Sequence, residues 1–234
     1  MFAIYKREMR SYFTTPIGYI FLAIFFAVSG AVFAYSTLYS MTADTTVYFT
    51  FMMFVFIVLL PLLTMKLFSE EKKMRTDQLL LTAPISIVSM VSAKFLAAYT
   101  MFAGSMLVSS LQFLILYRYA AVKTAVLLGN LLAILLVGMA FIAVGTFVSS
   151  LAENQLAAAV GTIGILFGLA AISFLNEFIP FYPIRFLLQC ISIFARFQNF
   201  VNGIFDIASV IYYLSVSAVF LFLTVRVYER RRWA

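Results

Sequence analysis

Long uncharged stretches follow one another along the chain, separated by short polar breaks. Six stand out, at 11–43, 45–65, 95–117, 124–152, 154–176 and 207–225, holding 33, 21, 23, 29, 23 and 19 residues. A helix rises about 1.5 Å per residue, so about 20 apolar residues cross a hydrocarbon core about 30 Å thick. Every run reaches. The pattern predicts an all-α polytopic membrane protein, with residues 1–234 forming one transmembrane domain. Its six spans fall near 17–40, 45–66, 93–117, 124–150, 154–176 and 207–226.

The polar breaks carry structure of their own. Ahead of the first run, Phe2, Tyr5, Met9, Tyr12 and Phe13 share one helical face, with Lys6, Arg7 and Arg10 in the neighbouring sector. This predicts an amphipathic helix lying in the membrane interface, rings toward acyl chains and cations toward phosphates. A basic flank that only sets topology is the plainer alternative. Pro16 should end that helix or bend it into the first span. The run is far longer than the apolar core of a signal peptide, so it reads as a retained span.

The most polar piece is 66–94. Glu70 and Lys73 stand at i,i+3, and Glu71 and Arg75 at i,i+4 with the acid first, a spacing that supports a short helix. Leu79, Leu80 and Leu81 follow, then Thr82-Ala83-Pro84. Leucine anchors beside a charged rim suit docking into a partner's groove; a solvated loop is the ordinary alternative. Ala157, Gly161, Gly164 and Gly168 fall on one face of the fifth run, which predicts close helix packing, within the chain or against a second copy. The pieces between 177 and 206, broken by Arg185 and Arg196, are too short to cross. They read as re-entrant or interfacial helices at the outer mouth.

Charge sets the orientation. Twelve of the sixteen Lys and Arg fall in the N-terminal, 66–94 and C-terminal segments, on the side that the positive-inside rule makes cytoplasmic. Both termini then lie inside, and the basicity reflects topology and anionic headgroups rather than nucleic acid. The chain has no histidine and one cysteine, Cys190, which reads as a small buried hydrophobe. A histidine base or histidine-ligated metal is thereby excluded. Outside the charged 66–94 stretch and the two termini, the acids are Asp44, Glu153, Glu177 and Asp206, all at span ends, which offers little to a gradient-driven carrier. No Walker A pattern occurs. The chain therefore reads as a membrane scaffold, not an enzyme, with its energy source elsewhere.

The stretch Lys6-Arg7-Glu8-Met9-Arg10-Ser11-Tyr12-Phe13 through Pro16-Ile17-Gly18-Tyr19 resembles the start of ABC-2 type permeases, notably the gliding-motility and nitrous-oxide-reductase-maturation branch. The segment Ser69-Glu70-Glu71-Lys72, Thr76-Asp77-Gln78-Leu79-Leu80-Leu81-Thr82-Ala83-Pro84-Ile85-Ser86 and Lys94 resembles that family's first cytoplasmic loop, and Glu229-Arg230-Arg231-Arg232-Trp233 its end. Arg75 stands where the family often has glycine, and Gln78 follows Asp77 where a Glu-Leu pair is common. The resemblance implies the permease subunit of an ATP-driven transporter, most simply an exporter, in the plasma or inner membrane. Two six-span subunits, identical or not, would join two cytoplasmic ATPase subunits, which alone bind ATP and magnesium. The stretch 70–81 would be the coupling helix, with Leu79 and Leu80 as anchors and Glu70, Glu71, Lys72, Arg75 and Asp77 as its polar register. A cavity lined by phenylalanines and methionines would suit a hydrophobic cargo. An autonomous channel or carrier, and a non-transporting assembly factor, are the competing readings.

Overall fold

The computed structural model describes residues 1–42, 44–75, 86–119, 123–178 and 192–233, with all their side chains except those of 174–178 and 233. The described residues are overwhelmingly helical and include no strand. Their helices are α1 (Phe2–Thr14), α2 (Pro16–Phe33), α3 (Thr46–Thr64), α4 (Lys66–Lys73), α5 (Ile87–Ser110), α6 (Phe113–Tyr119), α7 (Thr124–Leu151), α8 (Gln155–Phe178), α9 (Ile193–Val201) and α10 (Ile207–Trp233). Six helical stretches are long and apolar enough to cross a membrane. Span one is α2 with the π-helical turn Ala34–Tyr39, span two α3 with α4, and span three α5 with α6; spans four, five and six are α7, α8 and α10. The protein is a multi-pass membrane protein.

Short polar residues set the helix ends. Thr15, extended at φ −101 and ψ 152, turns the corner between α1 and α2, as the following proline requires. Asp44 accepts from the Thr46 amide, Ser86 from Ser89, Asn154 from Ala157 and Ser192 from Ala195, each satisfying a donor the first turn leaves open. After α9, Gly203 takes φ 77 while the Ile204 amide reaches Asn199 O and the Gly203 amide Phe200 O, a left-handed closure that favours glycine. Asp206 then caps α10, accepting from the Ala208 amide and the Ser209 hydroxyl.

Span four is the axis: 67% of its apolar stretch is buried, against 22% for span six and 28% for spans one and five. Spans two, three, five and six, α4 and α9 all pack against it. Two glycines make close approaches possible: a Cβ on Gly138 would stand 2.1 Å from the Phe102 ring of span three, and one on Gly145 2.2 Å from Thr64 Oγ1 of span two. Helix α9 is too short to cross. It buries Ile193, Phe194, Phe197, Phe200 and Val201 among spans two, four and five, with Phe194 5.4 Å from Phe54.

Span six continues to Arg232, past the expected residue 226, and two further boundaries differ from the sequence expectation. Span two runs on to Lys73, and span three begins at Ile87, six residues before the expected residue 93. Hydropathy stopped both at a lysine, Lys66 and Lys94, and both lysines are buried. On span five the buried stripe is Ala158, Thr162, Leu166 and Ala170. Of the expected small-residue face only Gly161 meets a neighbour, where a Cβ would lie 3.1 Å from Val148; Ala157, Gly164 and Gly168 are exposed, the two glycines with open space around them.

The corner between α1 and α2 gives a direct check. A Cβ on Gly18 would sit 2.0 Å from the Tyr12 carbonyl oxygen, which is backbone and cannot step aside, whereas Gly30 has nothing within 4 Å. Gly18→Ala should destabilise the detergent-purified protein by at least about 1–3 kcal/mol. Gly30→Ala should be neutral or gain up to about 1 kcal/mol of helix propensity. Thermal unfolding followed by tryptophan and tyrosine fluorescence reads both.

Candidate functional site

The charged segments of 1–15, 66–75 and 86–94 converge at one end of the bundle. The Lys94 ammonium, 1% exposed, lies at the centre. It meets Glu8 Oε1 at 3.2 Å, Glu71 Oε1 at 2.8 Å and the Leu67 carbonyl at 2.6 Å, so each of its three protons has an acceptor. It also stands 5.0 Å from the centre of the Phe68 ring. Arg7 closes the cluster from the solvent side, its Nη2 2.7 Å from Glu8 and 2.6 Å from Glu71. Two cations and two carboxylates balance. Burial alone would push the Glu8 carboxyl upward, but the Lys94 ammonium and the Arg7 guanidinium outweigh it and hold that group below its ordinary value of 4.5.

A second set of contacts surrounds the joint between α3 and α4. Pro61 lies inside α3, and one turn later the regular hydrogen bonding is interrupted at Met65, although Met65 keeps helical angles (φ −56, ψ −35). Other helices take up the polar groups at the joint. The Tyr12 hydroxyl donates to Leu63 O at 2.8 Å; burial, then the nearby Glu8 charge, raise this phenol well above 10 and keep it a donor. The Ser149 hydroxyl of α7 donates to Met65 O at 3.2 Å, and its oxygen accepts from the amides of Phe68 and Ser69. The Ser69 hydroxyl also donates to Met65 O. Lys66 reaches Ser11 Oγ at 3.1 Å and Thr15 Oγ1 at 3.3 Å, over the Tyr12 ring at 4.1 Å. Lys72 donates to Leu151 O and Ala152 O at 2.9 and 3.1 Å, where the carbonyls ending α7 concentrate negative charge. The Phe68 ring packs on Tyr228 of α10 at 4.9 Å. One eight-residue helix, α4, is thus held by polar bonds to α1, α5 and α7 and by ring packing to α10.

The sequence-predicted residues divide accordingly. Glu71 and Lys72 turn into the junction, Glu70 is half-buried, and Lys73, Met74 and Arg75 are exposed. The expected helix over 70–81 does not run through: α4 ends at Lys73 and Arg75 takes φ 57, a left-handed conformation that closes a helix. No ion pair joins Glu70 to Lys73 among the described residues. Asp77, Leu79, Leu80 and the Thr-x-Pro motif lie outside the described residues, as does Cys190. On α1, Lys6, Arg7 and Arg10 are exposed, as are Phe2 and Phe13, while Tyr5 donates to Thr100 Oγ1 at 3.2 Å. Tyr12 belongs to the core instead of an acyl-facing row, because the buried stripe is Ile4, Glu8 and Tyr12, one turn apart. Glu8 was the residue missed. An acid one helical turn before a buried aromatic, facing a lysine set in an apolar run, was the available signal.

Spans one to three hold a second buried polar group at the opposite end of the bundle. Tyr48 OH contacts Ser29 Oγ at 2.7 Å and Ser109 Oγ at 3.3 Å, Ser29 also meets Ser109, and Gln112 Nε2 donates to Ser29 at 3.3 Å. Phe33, Phe49 and Phe113 box it in, with centroids 5.0–6.4 Å from Tyr48 or from one another. Buried phenylalanines of these spans pack on one another: Phe56 lies 6.0 Å from Phe25 and 5.1 Å from Phe102. Among the described residues no three of Cys, Asp and Glu gather as metal ligands. No protein-family model and no curated protein sequence matches the chain.

The junction yields two expectations. Lys94→Met leaves the buried acids undercompensated and should cost about 3–5 kcal/mol, whereas the double change Lys94→Met with Glu8→Gln, which restores charge balance, should recover most of that loss. Thermal unfolding in detergent compares them. Because Glu8 is held below 4.5 in the folded state, its contribution is fully present above 4.5 and is lost as pH falls through its lower folded value. The Glu8→Gln protein should therefore show a flatter fall in unfolding midpoint than wild type between pH 6 and about 3.

Proposed function

We propose that this chain is the membrane subunit of an ATP-driven transporter of the ABC-2 type, moved by separate cytoplasmic ATPase subunits that bear on α4 and the stretch after it. The observation that carries the reading is the buried Lys94–Glu8–Glu71–Arg7 cluster, which ties the end of span two to α1 and to the start of span three. A helix so bonded moves with its neighbours, and a push on its free end is passed to several spans at once. Exposed Lys73, Met74 and Arg75 present that end. The left-handed backbone at Arg75 also fits the family pattern, since glycine, frequent there in the family, adopts such angles without strain.

On this reading the charged end faces the cytoplasm with both termini, in the plasma or inner membrane, as its share of the cations favours. A second permease subunit completes the pathway, and ATP and magnesium belong to the ATPase partners; this chain performs no chemistry and binds no nucleic acid. Transport outward is the direction the resemblance favours.

The test is association. Tagged chain purified from its native membranes should bring down a magnesium-dependent ATPase activity. Leu79→Asp with Leu80→Asp should reduce that activity at least about tenfold, since two anchors at an interface centre are each worth about 2 kcal/mol or more. Full activity in the double variant overturns the assignment of this stretch. Solute flux through the reconstituted chain alone, without nucleotide, overturns the transporter class.

A further inference from the structure

A cavity of about 1120 Å³ lies between the start of α5, the end of α7 and the last turns of α10. It has two chemically distinct parts. Val88, Phe147, Leu223 and Val227 form an apolar wall drawn from three spans. Arg226, Arg230 and Arg232 line the rest with Glu229, leaving a net charge of plus two. Only Arg226 is paired to an acid among the described residues, meeting Glu229 at 2.9 Å, and it lies over the Phe222 ring. Arg230 and Arg232 are exposed and have no acid partner among those residues. The N-terminus of α5, a 24-residue helix capped by Ser86, opens on the same cavity and adds positive potential.

We propose that this cavity binds an anionic phospholipid, its phosphate between Arg230 and Arg232 and an acyl chain along Val88, Leu223 and Phe147. Charge and shape both select this occupant. A free anion would use the arginines and leave the apolar wall wet, and a zwitterionic lipid would answer only part of the unpaired charge. Planar guanidinium groups bind phosphate oxygens through paired donors. The position agrees: the arginines lie in the last turns of span six, while Leu223 and Phe147 lie farther into their spans. The site rests on membrane insertion alone and not on the ATPase reading. It also gives the basic terminus a defined ligand in place of a diffuse attraction to the surface.

Native mass spectrometry of the full chain in detergent tests this, with phosphatidylglycerol, phosphatidylcholine of the same acyl chains, and inorganic phosphate as probes. Wild type should retain phosphatidylglycerol well above phosphatidylcholine. Arg230→Gln with Arg232→Gln should weaken phosphatidylglycerol roughly 25-fold, about fivefold per cation. Arg118→Gln with Lys123→Gln, at the end of span three and just before span four, should change nothing. Val88→Trp, which fills the apolar wall without touching charge, should weaken lipid binding and leave inorganic phosphate unaffected. Unfolding midpoints close to wild type show that each variant is folded. Equal retention of the two lipids, an unchanged double arginine variant, or displacement of the lipid by millimolar inorganic phosphate overturns the proposal. Displacement by polyglutamate would assign the cavity to an acidic polypeptide and overturns it equally.

Discussion

An ammonium group buried next to hydrocarbon has to be neutralised where it stands, and most of what is distinctive at the charged end follows from doing that for Lys94. Transfer of such an ion out of water costs several kcal/mol, and attraction compensates only when geometry is good and every proton is used. Here two carboxylates and one carbonyl use all three. The carboxylates come from residues 8 and 71, which are remote in sequence, so α1 and α4 must both reach the start of span three. Arg7 then balances the second acid. Such a cluster is a poor way to gain stability, since apolar residues of similar volume would do as well. Its effect is on register. Sliding α1 or α4 by one residue along span three removes an acid from a buried base, while an apolar contact would tolerate the slip.

The same end solves a backbone problem. An interrupted helix inside a membrane leaves polar groups that lipid cannot satisfy. At the joint after Thr64 the carbonyls of Leu63, Met65 and Leu67 accept from Tyr12, Ser149 and Lys94, which belong to α1, span four and span three. Reorienting α4 against α3 therefore means exchanging hydrogen bonds with three other elements together. Side-chain networks of this kind have few intermediate arrangements, which favours motion as a block with discrete states over gradual bending. That property is what a lever needs, and a lever is also what gives an external push any purchase on the spans.

Much of this architecture was legible in the residues. Hydropathy located six spans, Pro16 marked the corner after α1, and Asp44 and Asp206 at span starts proved to be helix caps. Failures cluster where a charge is cancelled by something distant. Lys66 and Lys94 look like span boundaries to any local measure, yet both are buried, because Ser11, Thr15 and the Tyr12 ring receive the first and two acids the second. Tyr12 has the right spacing for an acyl-facing row. It turns inward because a carbonyl freed by the joint in span two needs a donor. Within the chain the small-residue face of span five is not the covered one: periodicity identifies a stripe, but which stripe neighbouring spans cover depends on where they stand, and Ala158, Thr162, Leu166 and Ala170 take that place. Arg75 closes α4 with a backbone normally left to glycine or asparagine, which propensity alone gives no reason to expect.

The opposite end is held by a different kind of interaction, and the contrast bears on how such a bundle can move. Ser29, Tyr48, Ser109 and Gln112 are neutral, and each hydroxyl can donate or accept. Near them the helices are already irregular: span one ends in a π-helical turn at Ala34–Tyr39, and span three is interrupted between Ser110 and Phe113. Neutral hydroxyls can change partners without stranding a charge, so rearrangement there carries a far smaller penalty than separating Lys94 from its acids. Rigidity is thus concentrated at the end rich in cations, and compliance at the other. On the reading proposed above, a force applied near α4 would move the charged junction nearly undistorted, and the change of shape would appear some 30 Å away, where the spans are held by exchangeable bonds.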